Sequence, residues 1–304
     1  MTSPSRVLAL AGLSKTLRTP FSRKPGFRVG PVDLGIKGGE IVGLIGANGA
    51  GKTSTIKMIL GLLVPDAGRV EVEGVSTADT GWRAKVGYLP EQPAFYDYLS
   101  GQEFMTFVGD LFGLDAAILG PRVESLLNRV GLFESRRRPI RTYSKGMLQR
   151  LGIAQALLNE PKLLIMDEPM SGLDPLGRRF VRDLMLELRS EGKSILFSTH
   201  IISDAEFVCD RVALMRAGQL AAVGTFDDLL GLPSEFEITS VRPWHSSAGA
   251  EAERGRVSVR VGQEDLAKAI GDIVSQGSNL VGVSPVRKAV EDLLAPPPSK
   301  EGGR

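Results

Sequence analysis

The stretch Gly46-Ala47-Asn48-Gly49-Ala50-Gly51-Lys52-Thr53 decides the fold of this chain. It matches the pattern G-x-x-x-x-G-K-[ST], and it stands between an apolar run, Glu40–Ile45, and a helical pattern, Lys52–Leu62. Glycines let such a loop turn tightly so that successive backbone N–H groups point inward, and the helix N-terminus adds partial positive charge. The sequence therefore predicts a polyphosphate-binding loop between a strand and a helix.

The side chains of this loop add to the backbone contacts. Lys52 supplies a mobile positive charge for phosphate oxygens. The Thr53 hydroxyl is an oxygen ligand of the kind that Mg²⁺ accepts. We therefore predict ligand contacts along the whole loop, from Gly46 through Ala47, Asn48, Gly49, Ala50, Gly51, Lys52 and Thr53 to Ser54.

Short runs rich in Leu and β-branched residues recur between longer helical patterns. Several of the runs are apolar on both faces, which is typical of a mainly parallel sheet covered by helices. We therefore predict an α/β phosphate-loop core with a mainly parallel sheet, an antiparallel β edge formed by Gly30–Ile36 and Arg69–Val72, and a helical subdomain. The strand candidates are Val7–Leu10, Glu40–Ile45, Lys85–Leu89, Lys162–Met166, Lys193–Phe197 and Arg211–Met215, and the helix candidates are Lys52–Leu62, Gly101–Phe112, Pro121–Val130, Lys145–Leu158, Leu176–Arg189 and Ser203–Cys209.

A change of composition near residue 232 predicts a second domain. A helix at Thr225–Leu230 is followed by the turn-forming residues 231–234, and a polar stretch runs from His245 to Gly255. We predict a phosphate-loop domain over residues 1–232, with its helical subdomain at about 93–160, and a small α+β module over 233–304 with a frayed tail. The module's expected strands are Glu235–Val241, Arg256–Val261 and Asn279–Val283, and its expected helices are Glu264–Gln276 and Pro285–Leu294.

Composition excludes several classes of protein. The chain is 42% hydrophobic and 24% charged with a formal net charge of +2, so it is neither a disordered polymer nor a one-signed nucleic-acid surface, and we expect no nucleic-acid partner. No apolar run approaches the ~20 residues of a membrane-spanning helix. The N-terminal residues lack the features of a secretory signal, which predicts a cytosolic protein. Because Cys209 is the single cysteine, an internal disulfide framework is excluded.

Three titratable residues follow two neighbouring strand candidates. Asp167 and Glu168 come directly after the apolar run 163–166, and the carboxyl ends of strands are where α/β proteins bind ligands. Since adjacent residues on an extended strand point in opposite directions, we assign Asp167 to the Mg²⁺ shell and Glu168 to a water molecule as general base. His200 ends the next strand at the same edge, which predicts a contact with a γ-phosphate. His245 has no such neighbours and receives no role.

Two further motifs give the chain a family resemblance over about residues 5 to 230. Tyr143-Ser144-Lys145-Gly146-Met147 precedes a helix, and Ser171-Gly172-Leu173-Asp174 follows Glu168. With the phosphate loop and His200, this order resembles the ATP-binding subunits of ABC transporters. The resemblance implies an ATPase that uses ATP and Mg²⁺, works as a homodimer, drives separate integral-membrane permease subunits and lies peripherally on the cytoplasmic face of the membrane. It also implies that Ser144 and Gly146 cap the ATP held by the partner's phosphate loop, and that Asp174 contributes to nucleotide binding.

The second motif departs from the commonest family form, Leu-Ser-Gly-Gly-Gln. The Tyr-Ser-Lys-Gly-Met version is similar to ATPases that serve exporters with ABC-2 type permeases, which favours export. The C-terminal segment 285–294 also looks like the tail of that subgroup. A regulatory ABC ATPase that acts without a permease is the alternative. Chromosome ATPases are excluded because the stretch between Lys52 and Ser144 is too short for their coiled coil.

Other positions of the family pattern stay open. The glutamine that links nucleotide to permease falls at Glu91 by counting, with Gln92 one residue later, and both remain candidates. Leu17 stands where an adenine-stacking aromatic is usual, and Phe21 and Phe27 are the possible replacements. The aromatic stretch from Ala94–Leu99 to Phe107 is expected either to contact the permease or to pack in the core.

Overall fold

The computed structural model describes residues 6–18, 26–230, 235–241, 251–253 and 256–286. The chain divides into two compact units, residues 1–225 and 226–304, and the predicted domain boundary near 232 stays a prediction. The described residues of the first unit form the strands β1 (Arg6–Leu17), β2 (Phe27–Lys37), β3 (Ile41–Ile45), β4 (Ala67–Val72), β5 (Val75–Ser76), β6 (Val86–Leu89), β7 (Leu163–Met166), β8 (Ser194–Thr199), β9 (Arg211–Arg216) and β10 (Gln219–Gly224). Its helices are α1 (Lys52–Ile59), α2 (Gly101–Leu111), α3 (Ala116–Arg129), α4 (Lys145–Leu157), α5 (Pro175–Ser190) and α6 (Ile202–Glu206). The second unit contains α7 (Phe226–Leu230), β11 (Glu235–Ser240), β12 (Glu251–Glu253), β13 (Arg256–Gly262), α8 (Leu266–Ser275) and β14 (Leu280–Val286).

The main sheet of the first unit has six strands in the order β10-β9-β3-β8-β7-β6. The five strands from β9 to β6 run parallel, and β10 pairs antiparallel with β9. Strands β3, β7 and β8 are buried at every residue, as expected for strands covered on both faces. This arrangement confirms the predicted α/β fold class.

A second, antiparallel sheet has the order β2-β1-β4-β5. The predicted direct pairing of Gly30–Ile36 with Arg69–Val72 is wrong, because β1 lies between β2 and β4 and pairs with both. Strand β1 has twelve residues, extends well beyond the predicted run Val7–Leu10, and pairs with β2 on one edge and with β4 on the other. Backbone contacts fix this sheet to the β9–β10 hairpin, since the N–H of Gly30 donates to the carbonyl of Gly218 at 2.7 Å.

Helices α2, α3 and α4 pack together between β6 and β7 in the chain. The predicted start of α3 at Pro121 is wrong, because the helix begins at Ala116, where the Asp115 carboxylate accepts the N–H of Ala117 at 2.8 Å. Helix α2 begins with a capping box between Ser100 and Glu103. In the described part of the chain, we find no helix with the length and apolarity needed to traverse a bilayer.

The second unit is a four-stranded antiparallel sheet, β12-β13-β11-β14, with α8 packed on it around Ile238, Val257 and Ile273. The predicted helix over 285–294 is wrong at its start, because residues 285 and 286 belong to β14. The rest of that segment, the tail, the residues 231–234 and His245 lie outside the described residues. Part of the polar stretch predicted between 245 and 255 forms the edge strand β12.

Candidate functional site

The carboxyl ends of the parallel strands bring the predicted site residues to one edge of the main sheet. Register pairs Ile45 at the end of β3 with Thr199 at the end of β8, and Met166 at the end of β7 with Phe197 of β8. The loops that follow β3, β7 and β8 therefore emerge side by side. They carry residues 46–51, Asp167 with Glu168, and His200 respectively.

The phosphate loop has the backbone that its glycines predict. Gly49 and Gly51 have φ values of 78° and 105°, in the region that favours glycine. A Cβ atom on Gly46 would lie 2.5 Å from the carbonyl oxygen of Met215, so only glycine fits there. Helix α1 starts directly after this loop without a side-chain cap and without an acidic residue in its first turn. Its N-terminal N–H groups are thus available to an anion.

The Lys52 ammonium lies inside the loop, with only 5% of the residue exposed. It donates a hydrogen bond to the carbonyl of Gly46 at 2.7 Å and forms an ion pair with Glu168 Oε1 at 3.2 Å. The pair is almost entirely withdrawn from water, since Glu168 is 8% exposed. A polyphosphate entering the loop would therefore compete with the Glu168 carboxylate for this cation.

Two oxygen ligands suited to a hard divalent cation meet beside Lys52. Thr53 Oγ1 lies 3.3 Å from Asp167 Oδ1, and the Ser198 hydroxyl donates to the same Asp167 oxygen at 2.5 Å. A hydroxyl and one carboxylate fit Mg²⁺, which completes its shell with water and substrate phosphates. Burial, and then the charge of Asp167, raise the pKa of the neighbouring Tyr88 to about 12, so this phenol stays protonated.

The Glu168 side chain faces the phosphate loop for a reason other than the predicted one. Strand β7 ends at Met166, and Glu168 adopts a left-handed backbone with φ 48°, so strand alternation does not determine its direction. The Ser198 hydroxyl accepts the N–H of Glu168 at 2.9 Å and fixes this turn. As a result both carboxylates point into the same site.

His200 lies against Glu168. Its Nδ1 atom is 2.9 Å from Glu168 Oε2, while 39% of the imidazole is exposed. One Glu168 oxygen thus meets Lys52 and the other meets His200. The sequence interpretation missed Ser198, whose hydroxyl contacts Asp167 and the backbone of Glu168 and so orients both acids. A polar residue at the buried end of an apolar strand is the signal in the sequence that could have indicated this role.

These residues surround a cavity of about 490 Å³, which is lined by Leu17, Phe27, Asn48, Gly49, Ala50, Gly51, Lys52, Thr53, Ser54, Glu91, Glu168, Ser171 and His200. Phe27 is 40% exposed and pairs with Leu17 across β1 and β2, and both residues line the cavity, so Phe27 brings an aromatic ring to it. Phe21 lies outside the described residues. Of the two candidates after β6, Glu91 lines the cavity and Gln92 does not.

Ser144, Gly146 and Asp174 lie around a different cavity, of about 260 Å³, lined by Ser144, Gly146, Met147, Arg150, Leu173, Asp174, Gly177 and Val181. Ser144 caps α4 by accepting the N–H of Met147 at 3.3 Å, and Asp174 caps α5 by accepting the N–H of Gly177 at 2.7 Å. The structure therefore brings these three residues together, at a cavity different from the one that Lys52 lines.

Exposed aromatic side chains cluster on the surface near α2. Tyr98 is 67% exposed and Tyr96 50%, and the Tyr96 ring meets the Phe107 ring edge-on at 5.6 Å. Phe95 instead packs against the buried Phe104, with ring centroids 5.1 Å apart. Phe95 thus faces the core, whereas Tyr96, Tyr98 and Phe107 form an exposed aromatic patch, and the expected contact with a permease stays a prediction.

Comparisons with known proteins agree with this geometry. Residues 29–171 match the family model described as ABC transporter. An uncharacterized ABC transporter ATP-binding protein of Nostoc sp. is 36% identical, over 96% of this chain and 89% of that protein. The lantibiotic transport ATP-binding protein SrtF of Streptococcus pyogenes is 38% identical, over 67% of this chain and 87% of its own length. A solved ATP-binding subunit of an ABC transporter superposes with a TM-score of 0.65 at 36% identity, over 73% of this chain and 91% of that one.

Proposed function

This chain belongs to the family of ABC transporter ATP-binding proteins, and we propose that it hydrolyses MgATP at two composite sites of a homodimer to drive a separate membrane permease. The observation that carries the proposal is the convergence on Glu168, where Lys52 meets one carboxylate oxygen and His200 meets the other. In this proposal Glu168 is the general base, Lys52 is the phosphate-binding cation, and His200 is the imidazole beside them at one cavity.

Each part of the site has a separate task in nucleotide binding. The N–H groups of the loop and the Lys52 ammonium hold the phosphates. Thr53 and Asp167 would hold Mg²⁺, which neutralises charge on the phosphate oxygens when it is bound. Phe27 would stack on the adenine ring from the open side of the cavity.

Hydrolysis needs a water molecule aligned with the γ-phosphorus. Glu168 accepts a proton from this water, the water oxygen bonds to phosphorus, and the bond to the bridging oxygen of ADP breaks. His200 holds Oε2 of Glu168 and thereby orients the base toward the water. Lys52 must move from Glu168 to the phosphates as ATP binds, which frees the carboxylate for its role as base.

The homodimer follows from the separation of the two cavities. Ser144 and Gly146 lie at the N-terminus of α4, where backbone N–H groups favour an anion, yet they do not line the cavity that contains Lys52. In a head-to-tail dimer each such half-site, with Asp174, would close over the nucleotide held by the partner's loop. A nucleotide between the subunits then acts as the link that holds them together.

The permease is proposed to bind at the aromatic patch of Tyr96, Tyr98 and Phe107, which would hold the chain peripherally on the cytoplasmic face of the membrane. Exposed clustered aromatics are typical of protein interfaces.

Export is favoured by the similarity to SrtF, whose name assigns it to lantibiotic transport. A regulatory ATPase without a permease is the alternative, and copurification of a membrane permease from detergent extracts would decide between the two.

The dimer is tested with Glu168→Gln, which keeps the shape of the side chain and removes the base. We expect MgATP to convert this variant from monomer to dimer in light scattering. Adding Ser144→Arg should restore the monomer by steric clash, whereas Ser190→Arg, an exposed serine at the end of α5, should leave the dimer intact. A Glu168→Gln protein that stays monomeric at saturating MgATP contradicts the composite site.

A further inference from the structure

A buried carboxylate behind the site has no role in the mechanism above. Asp204 of α6 is 2% exposed, and its Oδ2 atom accepts no hydrogen bond from any described residue. Its nearest cations are Arg178 Nη1 at 3.6 Å from Oδ2 and Arg182 Nη1 at 4.0 Å from Oδ1. These distances are too long for the close hydrogen-bonded pairing that normally compensates a buried charge.

Burial raises the pKa of the Asp204 carboxyl, and Arg178, Arg182 and His200 lower it in part, while Glu168 raises it further. A folded-state pKa above the unfolded value means that the group's stabilising contribution is present at low pH and is lost as pH rises through the folded pKa. At neutral pH the ionised carboxylate therefore costs stability. Groups retained at such a cost are found disproportionately at functional sites.

The position of Asp204 connects the two cavities of one subunit. It lies four residues after His200, which lines the cavity of the phosphate loop. Its two arginines are one turn apart on α5, the helix that begins after Asp174 and contributes Gly177 and Val181 to the second cavity. A displacement of α5 relative to α6 would therefore change the distances between this carboxylate and its two arginines.

We propose that Asp204 is a positioning residue, which holds the His200 segment in register with α5 and so couples the subunit's own nucleotide site to the half-site that it offers to its partner. This inference rests on the proposed function. Arg182 also contacts the residue that follows α6, since its guanidinium lies 4.6 Å from the centre of the exposed Phe207 ring. Asp204 touches neither ATP nor the attacking water.

The test is Asp204→Asn in the full-length chain, with steady-state ATPase kinetics and thermal unfolding measured on the same preparation. We expect kcat to fall by about 10- to 100-fold, the usual effect of removing a residue that orients a site from behind. The KM for MgATP should not change, because the phosphate loop is intact. The Tm should stay the same or rise, since a buried, poorly paired charge is removed.

Asp183→Asn is the matched control. Asp183 is on α5, the helix of Arg178 and Arg182, and also pairs with an arginine at 3.6 Å, Arg179, but 67% of its side chain is exposed. Exposed pairs of this kind contribute little, so this variant should behave as wild type in kcat, KM and Tm. If only Asp204→Asn lowers kcat, the effect depends on where the carboxylate lies and not simply on the loss of one negative charge.

Three outcomes overturn the inference: wild-type kcat in Asp204→Asn, a fall in kcat that only follows a lower Tm, or an equal effect of Asp183→Asn. If Asp204→Asn does not fold, Arg178→Gln tests the same contact from its partly exposed side and must lower kcat without raising KM.

Glu168→Gln, measured in parallel, separates this inference from the proposed function. An active Glu168→Gln contradicts the mechanism, whereas an inactive Glu168→Gln beside a fully active Asp204→Asn contradicts only the role of Asp204.

Discussion

The buried pair between Lys52 and Glu168 predicts that losing the charge of Glu168 lowers stability without nucleotide and increases the stabilisation that MgATP provides. Glu168→Gln leaves the Lys52 ammonium with the carbonyl of Gly46 as its main partner, in a site where both side chains are at most one-tenth exposed. MgATP supplies phosphate oxygens to the same ammonium. The variant should therefore be weakened without nucleotide and should gain more from MgATP than the wild type does.

The size of the effect follows from the geometry. Opposite unit charges 3.2 Å apart interact by ~5 kcal/mol at an effective dielectric constant of about 20. Removing one partner of a buried pair costs about 3 to 5 kcal/mol, and the glutamine oxygen, which can still accept a hydrogen bond from Lys52, reduces this to an expected ~2 kcal/mol. In a domain of this size that is a fall in Tm of roughly 4 to 8 °C. Hydrolysis should fall by ~10² to 10⁴ with the loss of the base.

Thermal unfolding measures the Tm without nucleotide and the increase in Tm that MgATP causes, and a turnover assay measures the rate of hydrolysis. Glu187→Gln is the control, since Glu187 pairs with Arg129 at 3.0 Å on the surface and its loss should change Tm by little. The reasoning is refuted if Glu168→Gln unfolds at the wild-type Tm without nucleotide, or if MgATP raises the Tm of both proteins equally. Wild-type turnover in the variant would show that Glu168 is not the base.

Three further predictions concern separate parts of the chain. Lys52→Ala should abolish hydrolysis and weaken MgATP binding in isothermal titration while the protein stays folded, and unchanged affinity would contradict the loop's role. Phe27→Ala should weaken ATP binding by roughly 5- to 100-fold, the equivalent of ~1 to 3 kcal/mol of base stacking, and Phe27→Tyr should restore it; equal affinity in both variants would exclude stacking. A chain ending at residue 232 should bind ATP as the full chain does, and loss of binding in this folded truncation would place the nucleotide site partly in the second unit.

Much of the site could be predicted because its parts are encoded locally. The phosphate loop is a continuous strand–loop–helix segment, so its glycines, Lys52 and Thr53 are read in order. The acids after β7 and His200 after β8 follow from a general property of parallel sheets, whose strand ends meet at one edge. The positions of the buried strands β3, β7 and β8 were likewise predictable, because strands apolar on both faces stand out from amphipathic helices, although β8 continues to Thr199, beyond its predicted end at Phe197.

Other features depend on contacts between residues far apart in the sequence, and these only the tertiary structure decided. Strand β1 lies between β2 and β4, and this strand order depends on pairing between distant segments that a short apolar run does not reveal. Phe27 lines the cavity of the phosphate loop beside Leu17, because cross-strand register pairs these two residues. The direction of Glu168 is set by a left-handed backbone that the Ser198 hydroxyl holds from a neighbouring strand. Asp204 of α6 lies near Arg178 and Arg182 of α5, and no periodicity in either segment specifies this contact between side chains.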